Sequence, residues 1–329
     1  MQYFSAGRVN AIQVPKYFDA IKIVIFKGAE KVKKVALIIN SQAGKCKLEK
    51  ELDKIESRLT KAFAKVTIYQ TGQEGDGKRF VEQHAEEIDL LIAGGGDGTV
   101  FEIMNALVPL ENRPVFAILP GGTCNDFSRT LGISQKPLEA LEQIIMQKCM
   151  HVDIGSYHKH YFLNFWGIGI ISKVAEEMDD ANKQLLGRIS YYLNTSKLVF
   201  QDKAFSLKIR SEELHYDEKA ELLVVGNGSY LGGIQSFFPH ADVQDGKFDV
   251  LIVKEAKLKY LKKWLEAKIQ DDYPENEKDD DIIYFRTSKL EVSASPEQNI
   301  DCDGEFLDKT PAIVEVLPKH LKMIYGEIQ

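Results

Sequence analysis

Gly94-Gly95-Gly96-Asp97-Gly98-Thr99 follows the apolar run Leu90-Leu91-Ile92-Ala93 and precedes Val100, Ile103, Met104 and Leu107, which recur at helical spacing. Glycines at the carboxyl end of a parallel strand let backbone N–H groups approach phosphate oxygens, and the helix N-terminus that follows carries about half a positive charge. The segment reads as an anion cradle. Its aspartate is unfavourable beside phosphate unless it holds, or orders water around, a divalent ion such as Mg²⁺. Asp97 is therefore expected to be an exposed cradle residue that offers a charge and does no packing. The plainer alternative is a tight strand-to-helix turn capped by Asp97 or Thr99.

A second junction of the same kind runs Ile118-Leu119-Pro120-Gly121-Gly122-Thr123-Cys124-Asn125-Asp126-Phe127. Two glycine loops at one edge of an α/β sheet lie where such folds bind ligands, and together they can enclose one nucleotide. Far downstream stands Asp303-Gly304-Glu305. Alone it is a common Asp-Gly turn followed by a solvated glutamate. Beside a phosphate cradle it supplies a carboxylate able to accept a hydroxyl proton, which is what phosphoryl transfer needs besides positioning and charge neutralisation.

The elements that must carry these loops are legible. From Lys34 to about Ile154, short apolar runs alternate with helical patterns, the mark of βαβ units and a mostly parallel sheet. Strands are predicted at Val35–Ile39, Val66–Tyr69, Leu90–Ala93 and Val115–Leu119. Leu48, Leu52, Ile55, Leu59 and Phe63 form the apolar stripe of a helix covering that sheet. After Asp153 the chain becomes β-rich, with Phe205–Arg210, Leu222–Val225, Phe248–Val253, Ile282–Phe285 and Leu290–Val292 joined by Gly and Asp turns. The predicted organisation is an α/β domain over 34–154, a β-rich domain over 155–310, a segment 311–329 that returns to the first domain, and an extension over 1–33. In that extension Ile21, Ile23 and Ile25 alternate like a strand.

Composition narrows the function classes. A chain of 329 residues with 44% apolar and 28% charged residues has the balance of a folded two-domain protein. It contains no apolar run of about 18 residues, so membrane contact is expected to be peripheral. A formal net charge of −7 argues against nucleic acid as a partner. The cysteines Cys46, Cys124, Cys149 and Cys302 form no CxxC pair, and no signal segment opens the chain, so a cytoplasmic location with reduced thiols is expected. His158 and His160 lack a metal-ligand spacing and read as two positions on one strand face.

Gly-Gly-Asp-Gly-Thr at 95–99, Pro-Gly-Gly-Thr-Cys-Asn-Asp-Phe at 120–127, Val152-Asp153-Ile154-Gly155 and Asp303-Gly304-Glu305 occur in the order that resembles the diacylglycerol kinase catalytic family. That family includes bacterial soluble diacylglycerol kinases and the sphingosine and ceramide kinases, and the likeness spans about 34–325. The resemblance implies an α/β nucleotide domain, a C-terminal β-sandwich and an active site between them. It implies ATP contacts from Asn40, Thr71, Gly94, Gly95, Gly96, Asp97, Gly98, Thr99, Thr123 and Asn125. It also implies an acidic network of Asp97, Asp126 and Asp153 around a catalytic Mg²⁺, and activation of the acceptor hydroxyl by Asp303 and Glu305, with the choice between them open. A structural ion held by Asp245, with main-chain oxygens of Asp242 and Lys247, is implied more weakly; a plain hairpin turn at Asp245-Gly246 is its alternative. The family's first loop has proline where Ser41 stands, so the Asn40 loop is expected to be looser.

The reading is an ATP- and Mg²⁺-dependent kinase of a diacylglycerol-like lipid drawn from a membrane surface, giving a phosphatidic-acid-like product, with a homodimer open. Its rivals are a kinase of a soluble acceptor such as NAD and a non-catalytic nucleotide- or lipid-binding regulator. Lys257–Ile269 places Leu258, Leu261, Leu265 and Ile269 on one helical face among lysines, a pattern that suits packing or a membrane interface.

Overall fold

The computed structural model describes residues 21–25, 34–40, 47–169, 204–235, 238, 241–254 and 282–326. The lysine-rich segment 257–269, the acidic run 270–281 and the first loop at 41–45 lie outside the described residues.

The N-terminal domain is built from β2 (Lys34–Ile39), α1 (Leu52–Ala62), β3 (Lys65–Gln70), α2 (Asp76–His84), β4 (Leu90–Gly95), α3 (Asp97–Leu107), β5 (Val115–Pro120), α4 (Asp126–Thr130) and α5 (Pro137–Met146). Four parallel strands lie in the order β3-β2-β4-β5, and β1 (Ile21–Ile25) pairs antiparallel with β3 at the outer edge. Helices cover both faces of such a sheet, so β4 is buried along its whole length. The stripe of Leu48, Ile55, Leu59 and Phe63 is buried as its spacing requires.

The second part begins with β6 (Cys149–Tyr157), β7 (His160–Phe162) and β8 (Phe165–Gly169). It continues through β9 (Phe205–Arg210), β10 (His215–Gly226), β11 (Tyr230–Leu231), β12 (Ile234–Gln235), β13 (Phe248–Lys254) and β14 (Ile282–Thr287). Last come β15 (Lys289–Ser295), β16 (Asn299–Cys302), β17 (Glu305–Lys309) and β18 (Ala312–Ile324). The pairing is antiparallel, and β10 turns the corner of the sandwich: its first half pairs with β9, its second half with β8 and β13. β9 alternates buried and exposed residues because one of its faces meets solvent, whereas β13 is covered on both faces.

β18 joins the two parts. It pairs antiparallel with β15 and β6, and Met323 lies beside Phe116 of β5 in parallel register. Its register with β6 shifts between Leu317 and Leu321, where Lys319 takes a left-handed φ of 49°. Among the described residues, no helix is long and apolar enough to cross a membrane.

Candidate active site

The two glycine loops touch. A Cβ on Gly122 would lie 2.6 Å from the Cα of Gly96, so only glycine allows the loops to close on each other. Asn125, at φ 50°, fastens them: its Oδ1 accepts the Gly122 N–H at 2.8 Å and its Nδ2 donates to the Gly95 carbonyl at 2.9 Å. The N–H groups of Gly98 and Thr99, in the first turn of α3, have no carbonyl partner within that helix, which leaves donors at the loop edge. Asn40 and Thr71 close the same edge. The Asn40 Nδ2 lies 3.4 Å from Thr99 Oγ1 and the Thr71 N–H donates to the Ile39 carbonyl at 3.0 Å. Thr123 is exposed at the rim.

Asp97 corrects one expectation. It is half-buried, and its carboxylate accepts the N–H groups of Asn125 at 2.9 Å and Asp126 at 3.0 Å. It thus holds the second loop in place as well as carrying charge. Burial raises its pKa, opposed by those two amides. Asp126 is buried and reaches across to the other domain, accepting the N–H groups of Gly232 at 2.7 Å and Gly233 at 2.6 Å in the β11–β12 turn. Burial, then the Asp97 charge, pushes its pKa up to about 7.

The hairpin β16–β17 brings the third group. Asp303, at φ 49°, accepts N–H groups from Leu163 at 2.7 Å, Asn164 at 3.0 Å and Phe165 at 2.8 Å. Burial raises its pKa to about 7 despite those three amides, with the Asp97 charge adding to the rise. Asp97, Asp126 and Asp303 line one cavity of about 20 Å³ between the domains, room for roughly one water-sized group. Glu305 differs from all three. Its Oε1 would lie 3.1 Å from a Cβ on Gly98, which sets it against the first turn of α3. Burial, then the Glu74 charge, raises its pKa.

Asp153 goes elsewhere. Its Oδ1 accepts the Lys319 N–H at 2.6 Å and its Oδ2 the Gly246 N–H at 2.7 Å, so it fixes the bulge of β18 and the turn before β13. It sits with Asp242 and Asp245, whose charges add to the burial that raises its pKa. Asp242 accepts the Gln244 N–H at 2.9 Å, and Asp245 accepts the Lys247 N–H at 2.9 Å and pairs with Arg286. These contacts are those of a self-closed turn, and an ion there would have to compete with the guanidinium for Asp245. The three aspartates of the implied Mg²⁺ network therefore divide, two in the cavity and one at this turn.

Sequence reasoning missed five participants. Asp301 is buried, with a pKa raised to about 8 by burial, and accepts the Gly304 N–H. The spacing Asp301-x-Asp303-x-Glu305 was its available signal. Asn227 donates to the carbonyls of Asp153 at 3.0 Å and Leu163 at 2.6 Å, and Gly232 and Gly233 receive Asp126. Only turn composition hinted at these. Arg129, whose Nε donates to the Cys124 carbonyl at 2.8 Å, places its charge near Asp97 and Asp126.

Residues 34–157 match the diacylglycerol kinase catalytic domain, and 167–325 match the YegS C-terminal NAD kinase beta sandwich-like domain. A diacylglycerol kinase of Bacillus subtilis is 28% identical over 89% of this chain and 96% of its own length. One of Staphylococcus epidermidis is 30% identical over 88% of this chain and 92% of its own. A crystal structure of a Bacillus anthracis diacylglycerol kinase superposes with a TM-score of 0.74 at 38% identity, covering 91% of this chain and 98% of that one. With the paired glycine loops and an acidic hairpin facing them from the second domain, these likenesses show that the chain belongs to the diacylglycerol kinase catalytic-domain family of lipid kinases.

Proposed function

We propose that the protein transfers the γ-phosphoryl group of ATP to the hydroxyl of a diacylglycerol-like lipid, giving a phosphatidic-acid-like product. One observation carries this reading: Glu305, from the second domain, stands against Gly98 in the first turn of α3, so an acceptor-side carboxylate meets the phosphate cradle across the cleft. Gly94–Thr99 would cradle the phosphates, with Asn40, Thr71, Thr123 and Asn125 shaping the nucleotide edge.

The acidic cavity fits Mg²⁺ in a particular way. Asp97, Asp126 and Asp303 bring excess negative charge into one small space, which burial makes costly and a divalent cation relieves. Their oxygens already accept amide hydrogens, and among the described residues no three acidic, His or Cys side chains converge to ligate an ion directly. Mg²⁺ keeps several waters and takes one or two carboxylates with substrate phosphates, which suits this donor set. When bound, the ion neutralises charge on the transferring phosphoryl group.

The roles of Asp303 and Glu305 separate on their contacts. Asp303 spends its carboxylate on three backbone amides, so it shapes the hairpin. Glu305, with a raised pKa and a position beside Gly98, is the group to accept the proton of the lipid hydroxyl. Incubation with labelled ATP and a panel of diacylglycerol, monoacylglycerol, undecaprenol, sphingosine, ceramide and NAD tests the reading. Label is expected in diacylglycerol; label in NAD alone would overturn it.

A further inference from the structure

Glu305 opens β17, a strand at the end of its sheet that, among the described residues, pairs with β16 alone. The ladder between the two is short. Cys302 pairs with Glu305 and Asp301 with Phe306, and the register then shifts before Asn299 meets Lys309. A strand supported on one side by so few pairs does little to aim its first side chain, so the aim of Glu305 depends on the turn that precedes it.

Asp303 and Gly304 are the two residues of that turn, with φ of 49° and 94°, the left-handed values that a two-residue hairpin of type I′ demands. Asp303 turns its carboxylate outward to the amides of 163–165. The contact inside the hairpin comes from Asp301. Its Oδ1 accepts the Gly304 N–H at 2.9 Å, which fixes the plane of the peptide joining Asp303 to Gly304, one peptide before Glu305. Asp301 is only 6% exposed and stands between Ile300 and Cys302, which are fully buried. A carboxyl is costly there, because burial and the charges of Asp303 and Glu305 all work against its ionisation. Opposite it on β8 is Gly167, which brings no side chain to pair with it.

We propose that Asp301 is a positioning residue, which by holding the Gly304 N–H sets the turn that aims Glu305 at the first turn of α3. The inference rests on the reading of Glu305 as proton acceptor, and the effect of Asp301 passes through that side chain. Misplacing a reacting group by about 1 Å can cost on the order of 10²-fold in rate, so one turn contact is enough to matter.

The test is a double-mutant cycle on the full chain, with labelled ATP and diacylglycerol in mixed micelles, run below the melting temperature of every variant. Asp301→Ala should lower kcat by roughly 10- to 100-fold and leave the KM for ATP within about twofold. Asp301→Leu removes the same acceptor without leaving a gap and should show the same pattern where the alanine variant is unstable. Asp301→Asn keeps an acceptor oxygen for Gly304 and should recover most of the loss. In the Glu305→Gln background, Asp301→Ala should change kcat by less than about twofold, because the group it aims is already gone. A purely structural part would slow both backgrounds alike. Amide hydrogen exchange reads the contact without turnover: Gly304 should be protected in the native chain and in Asp301→Asn, and should exchange roughly tenfold faster in Asp301→Ala. Native-like kcat in the alanine and leucine variants, equal losses in both backgrounds, or Asp301→Asn as slow as Asp301→Ala would each overturn the positioning role. Native-like turnover in Glu305→Gln alone would overturn the reading of Glu305 and the positioning role with it.

Discussion

Two groups of aspartates look alike in the sequence and behave differently in the fold. Asp153, Asp242 and Asp245 surround a turn in which backbone amides and Arg286 answer the carboxylates. Asp97, Asp126 and Asp303 also accept amides, yet they converge on a shared cavity where burial pushes Asp126 and Asp303 to about 7. The difference lies in what remains after the hydrogen bonds are counted. In the turn Arg286 pairs directly with one of the three carboxylates, whereas the cavity has only the nearby Arg129 charge set against its carboxylates and keeps a surplus that a bound cation or protons would reduce.

The largest effect that can break this comparison is expected at the cleft. Glu305→Gln should lower kcat by about 10²–10⁴, the usual cost of losing a general base, while ATP binding measured by calorimetry changes little. Asp126→Asn comes next. Gly232 and Gly233 donate to different oxygens of Asp126, one of which becomes an NH₂ in Asn and leaves its amide facing a donor, and an unsatisfied buried donor costs about 1–3 kcal/mol, so the melting temperature should fall together with turnover. Similar turnover with lowered stability would reduce Asp126 to a domain tie.

A pH and ion experiment sharpens the contrast further. Asp126 and Asp303 stand at about 7 in the folded chain and near 4 when unfolded. Between those values the folded state binds more protons, so these groups make the ion-free protein less stable as pH rises from about 4 to 7. Mg²⁺ should therefore raise the melting temperature more at pH 8 than at pH 5, and an equal rise at both would argue against ion binding in the cavity. The smallest effect is expected at the turn: Asp245→Asn, which breaks its partly exposed pair with Arg286 while the guanidinium stays beside Asp249, should cost no more than about 1 kcal/mol by denaturant titration.

Much of this was legible because it is local. Periodicity placed β2 to β5 and the stripe on α1, and glycine runs at strand ends placed both loops. What could not be read is contact between distant residues. Nothing in Val152-Asp153-Ile154-Gly155 says that its aspartate will meet Lys319, 166 positions away, because that meeting depends on the register shift in β18. Asp97 looked like a solvent-facing charge because its partners, the amides of Asn125 and Asp126, are backbone groups that every sequence possesses. The positioning role proposed for Asp303 draws on the three amides of 163–165, which arrive from β8 and the turn before it.

The central claim is that Glu305, rather than Asp303, takes the proton. The pH dependence of lipid phosphorylation at saturating ATP tests it most directly. Glu305 must be ionised to act, and its raised pKa means that activity falls as pH drops through that value. With Mg²⁺ saturating as well, so that the cavity carboxylates stay ionised, the account predicts that this acid limb vanishes in Glu305→Gln, leaving a low, flat rate, and persists in whatever activity a folded Asp303→Asn retains. An acid limb that survives in Glu305→Gln and disappears in Asp303→Asn would contradict the assignment.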